Sequence, residues 1–224
     1  MSGTLSVVAT PIGNMEDITL RALRVLKEAD YILCEDTRVT GKLLKRHEIS
    51  TQMKRYDAHA SEAVHQSVLN DLQNGKKIAL VSDAGTPGVS DPGVLLVGMA
   101  RAAGARIDAI PGPSAVTAAF SIAGIVGNQF TFLGFAPHKK GRQTFFKSLE
   151  DCREPVIFFE STHRIMKTLE ALKDLSIDQK VSVGRELTKM HEEFVSGTPE
   201  EMLNYFNEHT DHQKGEFVVI VSRV

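Results

Sequence analysis

Three short stretches of this chain concentrate the residue types that build ligand-binding turns. They are Thr10-Pro11-Ile12-Gly13-Asn14, the run from Asp83 to Gly93, and Pro111-Gly112-Pro113-Ser114-Ala115. Glycine admits positive φ and close backbone approach, while proline fixes the shape of a loop. Loops of this composition can turn backbone N–H groups toward a ligand carboxylate or hydroxyl. Any one of them reads equally well as an ordinary turn. Their shared place, each just beyond a predicted strand, is what points to a ligand site, because open α/β sheets gather ligands beyond the carboxyl ends of their strands. Glu35-Asp36-Thr37-Arg38 follows a further predicted strand and adds two carboxylates and a guanidinium. A second charged group, Lys139, Lys140 and Arg142 on one loop with His163-Arg164 at a later helix start, is basic.

Other chemistries find little support. No G-x-x-x-x-G-K-[ST] occurs and no G-x-G-x-x-G follows the first strand, which disfavours a P-loop kinase or a standard dinucleotide dehydrogenase. A G-x-S-x-G elbow is missing too, which disfavours a hydrolase. His59 and His65, and His209 and His212, carry no cysteine or carboxylate signature, so no metal site is expected. Cys34 and Cys152 match neither a redox pair nor a disulfide framework and read as small core residues in a reducing compartment.

The elements that must position these residues alternate. Strands are expected at Leu5–Ala9, Tyr31–Cys34, Ile78–Val81 and Arg106–Ile110. Helices are expected between them: one capped by Asp17 with an apolar face of Leu20, Leu23 and Leu26, one over Lys42–Arg46, one from Ser61 to Asn74 stopped by Gly75, and one over Val94–Ala103. This βαβ alternation implies a mostly parallel sheet. Pro111-Gly112-Pro113 breaks the chain, and two α/β domains are expected, 1–111 and 112–224. The second opens with a helix at Ser114–Ile122, followed by strands at Phe130–Phe135 and Val156–Phe159 and helices near Gln143–Leu149 and Arg164–Leu175. Strands at Val181–Leu187 and Glu193–Val195 are close enough in sequence to pair antiparallel, and with Phe217–Val221 they make a mixed sheet. Thr198-Pro199-Glu200-Glu201 spells a capping box. At 224 residues, 42% of them hydrophobic, the chain can bury such cores. The formal net charge of −2 means that any basic surface is local. No run reaches the roughly 18 apolar residues of a membrane span, and Met1–Thr4 leads into a strand rather than a signal peptide, so a soluble cytoplasmic protein without a membrane partner is expected.

Six motifs, in chain order, resemble the tetrapyrrole methylase superfamily. They are Val8–Asn14, Glu35–Arg38, Ser82–Pro87 with Ser90–Gly93, Ile110–Ala115, Phe132-Leu133-Gly134-Phe135, and Arg185-Glu186-Leu187-Thr188-Lys189. Within that superfamily they look like the branch that methylates a cytidine ribose 2′-oxygen in small-subunit ribosomal RNA. The resemblance runs from about Leu5 to Val221. His138 and Thr162 depart from it, standing where arginine and proline are expected, and no C-terminal extension follows Val224.

The resemblance implies an S-adenosylmethionine-dependent methyltransferase that forms a homodimer, with the cofactor in a cleft between two α/β domains. It assigns cofactor contacts to Pro11, Asp83, Ala84, Gly85, Thr86, Val89, Ser114 and Ala115, and from the second half to Gly134, Phe135, Glu186 and Leu187. The simpler reading of Asp83 and Ser114 is that they cap a loop and a helix. Methyl transfer to a ribose hydroxyl needs help with the departing proton, so Glu35 or Asp36 is a candidate base and Arg38 a candidate phosphate contact. The plainer alternative has Asp36 capping a helix with Arg38 on the surface. Lys139, Lys140, Arg142 and Arg164 are the candidate contacts to small-subunit ribosomal RNA or the small ribosomal subunit. Two rivals share the fold: a tetrapyrrole C-methyltransferase of the precorrin or uroporphyrinogen type, and a non-catalytic RNA-binding assembly factor. The single glycine of Thr10–Asn14 favours the RNA branch over the first, and the intact Asp83–Pro87 and Arg185–Lys189 segments argue against the second.

Overall fold

Buried strands alternate between two cores in the first half of the chain. A computed structural model describes residues 3–89, 93–175 and 178–223. Ser90, Asp91 and Pro92 of the second glycine- and proline-rich loop lie outside the described residues. The chain divides into two compact units, Met1–Ser114 and Ala115–Val224, just past the Pro111–Pro113 break.

The first unit runs β1 (Thr4–Val8), α1 (Leu20–Glu28), β2 (Tyr31–Cys34), α2 (Thr37–Arg46), β3 (Met53–Arg55), α3 (Glu62–Gln73), β4 (Lys77–Leu80), α4 (Gly93–Ala102) and β5 (Arg106–Ile110). Its sheet has the order β3-β2-β4-β1-β5, and every pairing is parallel. Successive side chains of a strand point to opposite faces. Accordingly Val8, Ile32, Cys34 and Ala79 pack with Ala22 and Leu26 of α1 and Leu43 and Leu44 of α2. Leu5, Tyr31, Leu33, Ile78 and Leu80 pack on the other face, with Val68 and Leu72 of α3 and Leu96 of α4. Both faces are covered, which is why these strands read as unbroken apolar runs. The connection from β1 leaves through α1 on one face and that from β4 through α4 on the other. Adjacent strands whose connections diverge in this way leave a crevice at their carboxyl ends.

The second unit runs α5 (Ala115–Ile122), β6 (Thr131–Phe135), α6 (Arg142–Ser148), β7 (Val156–Ser161), α7 (Ile165–Lys173), β8 (Gln179–Arg185), β9 (Glu193–Gly197), α8 (Pro199–Glu208) and β10 (Glu216–Arg223). Its mixed sheet has the order β6-β7-β10-β8-β9, parallel only at β6–β7, and the expected antiparallel pairing of β8 with β9 is present. Phe146, Phe158, Leu169, Val183, Met202, Phe206 and Phe217 fill one core beneath α6, α7 and α8. A fully buried aromatic such as Phe158 contributes about 2–3 kcal/mol through lost water contact. The capping box forms as read: Thr198 Oγ1 accepts from the Glu201 N–H at 3.2 Å, and Glu201 Oε2 accepts from the Thr198 N–H at 2.7 Å.

Four expectations need correction. Asp17 does not cap α1; it ends a short 3₁₀ turn over Met15–Asp17 that Asn14 caps, and Thr19 caps α1 by accepting from the Ala22 N–H at 3.1 Å. Leu20 is 86% exposed, so the buried stripe starts at Ala22. The helix expected at Lys42 begins at Thr37, since Asp36 caps it there. The three-residue β3 has no apolar signature because it lies at a sheet edge and joins through backbone pairing with β2. The strand expected to reach Leu187 stops at Arg185, where Glu186 (φ 49°) and Thr188 (φ 66°) turn the chain into the left-handed region.

Candidate cofactor and substrate sites

The three glycine- and proline-rich loops of the first unit are sewn together beyond β1, β4 and β5. Thr10 and Gly85 exchange backbone hydrogen bonds, N–H to O at 2.9 and 3.0 Å, joining the turn after β1 to the turn after β4. Thr10 Oγ1 donates to the Ser82 carbonyl at 3.2 Å beneath this bridge, and Thr86 Oγ1 donates to the Pro113 carbonyl at 3.3 Å. The turn after β5 lies close as well: a β-carbon built on Gly112 would sit 2.9 Å from the Ala9 Cβ. Gly85 holds a φ of 78°, which a residue with a side chain adopts only under strain. Thr10, Pro11, Gly85 and Pro87 are buried within the seam, whereas Asp83, Ala84 and Val89 are exposed on it.

The strand-end charges meet this seam. Asp83 Oδ1 accepts from the Asp36 backbone N–H at 3.1 Å, tying the end of β4 to the end of β2. Asp36 caps α2 by accepting from the Arg38 N–H at 2.8 Å, and its carboxylate also pairs with the Arg38 guanidinium at 2.5 Å. The Arg38 side-chain and backbone hydrogen bonds hold the Asp36 carboxyl well below the usual carboxylate range. Such a carboxylate stays charged and is a weak proton acceptor at neutral pH. Arg38 itself is 86% exposed in its side chain.

In the second unit, β6 slips register against β7 between Phe132 and Phe135, around Gly134 at φ 67°. This bulge leaves Phe135 55% exposed, its ring edge-on to Phe159 at 5.2 Å. The Arg185–Lys189 segment uses its side chains internally. Arg185 donates to the Lys214 carbonyl at 2.7 Å and the His191 carbonyl at 3.1 Å. Glu186 accepts from Lys189 Nζ at 2.8 Å and the Glu216 N–H at 2.9 Å. Burial opposes the Glu186 charge, but these partners outweigh it and hold the carboxyl below its ordinary range. Leu187 is buried against Gly184.

The basic residues divide into two kinds. His138, Lys139 and Lys140 are exposed on the loop between β6 and α6. Arg142 and Arg164 are each only 16% exposed in their side chains, and both pair with Glu160, at 3.2 and 2.8 Å.

The sequence matches the Tetrapyrrole (Corrin/Porphyrin) Methylases over residues 4–203. The chain belongs to this family. A Thermotoga maritima protein named ribosomal RNA small subunit methyltransferase I is 41% identical over 98% of this chain and 98% of its own length. Proteins of the same name from Halalkalibacterium halodurans and Bacillus subtilis are 45% and 41% identical, each over 98% of this chain and 75% of their own length. Among solved structures, a cobalt precorrin-4 methyltransferase shares the fold with a TM-score of 0.72 at 19% identity, over 98% of this chain and 94% of that one. A diphthine synthase does so with a TM-score of 0.74 at 14% identity, over 98% and 90%.

For this tetrapyrrole methylase, the structure brings Pro11, Asp83, Ala84, Gly85 and Thr86 together and sets Glu35, Asp36 and Arg38 beside them. Ser114 ends the first unit, and Ala115 opens the second at the start of α5. Gly134 and Phe135 lie on β6, while Glu186 and Leu187 follow β8. Glu160 is the buried charged residue that the sequence alone did not single out. Glu160 did leave a signal: a lone carboxylate closing the apolar run Val156-Ile157-Phe158-Phe159 must find partners when buried. The close approach of Gly112 to Ala9 left none, since the two are remote in sequence.

Proposed function

We propose that the chain methylates the ribose 2′-hydroxyl of a cytidine in small-subunit ribosomal RNA, in the cytoplasm and as a homodimer, with S-adenosylmethionine as methyl donor. The seam joining the turns after β1, β4 and β5 carries this reading. The names of the relatives, one of them matched over 98% of its own length, support ribosomal RNA over a tetrapyrrole as substrate.

The residues present fit that donor. Gly85, at φ 78°, and Gly112, where a β-carbon would meet Ala9, let the turns draw together, and the exposed Asp83 can oppose an ammonium or sulfonium charge. S-adenosylmethionine supplies a methyl carbon made electrophilic by its positive sulfur. Pro11, Asp83, Ala84, Gly85, Thr86, Val89, Ser114 and Ala115 are proposed to hold it. Gly134, Phe135, Glu186 and Leu187 are proposed as further contacts on the family resemblance.

Among the strand-end charges, Asp36 serves best as the clamp that orients Arg38 toward a substrate phosphate, because its own carboxyl is a poor proton acceptor. Glu35 is then the proposed base for the ribose hydroxyl. Lys139 and Lys140 are the proposed phosphate contacts of the second unit, and Arg142 and Arg164 act next to them.

Incubating the purified protein with methyl-labelled donor and, separately, small ribosomal subunits, free small-subunit RNA and uroporphyrinogen tests the reading. Label is expected in RNA, at one nucleotide whose 3′ phosphodiester resists alkali because its 2′-oxygen is blocked. Label in the tetrapyrrole would establish the rival enzyme, and no transfer to any acceptor would leave the assembly-factor reading.

A further inference from the structure

Glu160, next to last in β7, follows an apolar run with its own side chain wholly withdrawn from solvent. Three hydrogen-bond donors and a further ion pair converge on it. Arg142 Nη1 at 3.2 Å and Thr168 Oγ1 at 2.7 Å donate to Oε2, and the Ser161 N–H donates to Oε1 at 2.8 Å. Arg164 Nε donates to Ser161 Oγ at 3.0 Å and lies 2.8 Å from Oε1 as an ion pair. Arg142 Nη2 also donates to Thr168 Oγ1 at 2.7 Å, closing the cluster. A buried ion cluster gains little over apolar packing of the same volume, so its use lies in what it holds in place.

What it holds is the basic loop. Arg164 Nη1 donates to the Ala136 carbonyl at 2.9 Å, and Arg142 Nη1 donates to the Pro137 carbonyl at 3.2 Å. Ala136 and Pro137 are the last residues before His138-Lys139-Lys140-Gly141, and Arg142 is the first after it. Both ends of the segment are therefore fastened to one carboxylate. Gly141, at φ 83°, makes the sharp entry into α6.

We propose that Glu160 is a positioning residue for the RNA substrate: through Arg142 and Arg164 it fixes the backbone that carries Lys139 and Lys140. The proposal rests on the reading that these two lysines contact RNA. Lysine is a flexible point charge, so the entropy lost on binding depends on how well its backbone is already placed.

Glu160→Gln keeps the shape and removes the charge. The expected result is a KM for small ribosomal subunits raised about tenfold, with kcat and affinity for S-adenosylhomocysteine altered by less than about twofold. In a Lys139→Ala/Lys140→Ala background the same change should add almost nothing, because the groups it positions are gone. If the lysine pair raises KM while Glu160→Gln leaves it unmoved, or if the two effects simply multiply, the positioning role is wrong and the RNA-contact reading survives. If the lysine pair itself has no effect on KM, both fail. Thr168→Val, which removes only the hydroxyl bridging Arg142 and Glu160, supports the same comparisons with a smaller rise should Glu160→Gln not fold.

Discussion

Replacing Gly112 with alanine tests the seam at the point where the loops come closest. A β-carbon there would lie 2.9 Å from the Ala9 Cβ and 3.5 Å from the Ala9 carbonyl oxygen. Carbon atoms rest at about 3.5–4.0 Å, so the Pro111–Pro113 turn must retreat by roughly 0.6–1 Å. Both carbons are bonded directly to backbone, and no rotamer change relieves the contact. The retreat falls on Pro113, whose carbonyl already accepts from Thr86 at 3.3 Å, near the limit of a hydrogen bond. Overpacking of this kind costs about 1–3 kcal/mol, and losing the Thr86 bond adds about 1 kcal/mol. Because Gly85 and Thr86 share that seam, affinity for S-adenosylhomocysteine should fall about tenfold or more in calorimetry. Gly98→Ala is the control. Gly98 is exposed in α4 with nothing within 4 Å of an added β-carbon, and the change should stabilise by about 0.5–1 kcal/mol. If Gly112→Ala bound the product and resisted urea as well as Gly98→Ala does, the packing argument for the site would be wrong.

Three further outcomes follow from single contacts. Removing Lys139 and Lys140 together should lower the slope of log affinity against log salt by about 1.5–2 for RNA, measured by filter binding, with cofactor affinity unchanged. An unaltered slope would remove these lysines from the interface. The folded-state pKa of Glu186 is depressed, so its stabilising contribution is complete above the usual carboxylate range and is lost as pH falls through the depressed value. Glu186→Gln should therefore lower the melting temperature near neutral pH and converge with the parent as melts are taken toward pH of about 3; a constant gap across that series would assign the effect to something other than charge. Thr198→Ala should cost about 1 kcal/mol by opening the capping box of α8, read from urea midpoints, and a loss below about 0.3 kcal/mol would show the cap to be idle.

The Asp36 segment shows where local reading reaches its limit. Asp36-Thr37-Arg38 spells a helix cap, and the cap is there. That the same backbone also binds Asp83, from a strand whose place beside β2 is set by sheet order, has no local signature. The basic residues behave similarly. Lys139, Lys140, Arg142 and Arg164 look alike as a list of charges, yet two are exposed and two are drawn inward by Glu160.

Sequence by itself determined the features that depend on neighbours a few residues away. These include the two-faced burial of β1, β2 and β4, the Thr198–Glu201 cap, the Gly75 stop and the positions of the three glycine- and proline-rich turns. The motifs in chain order also carried the family. Tertiary structure alone decided the strand order, the pairing of the edge strand β3, the meeting of Ala9 with Gly112 and the fate of each arginine. The physical reason is one of range. Periodicity and capping are set by steric and hydrogen-bonding terms within a turn or two of backbone. Which distant carboxylate or loop shares a given space is settled only when the whole core packs and every buried polar group must find its partner.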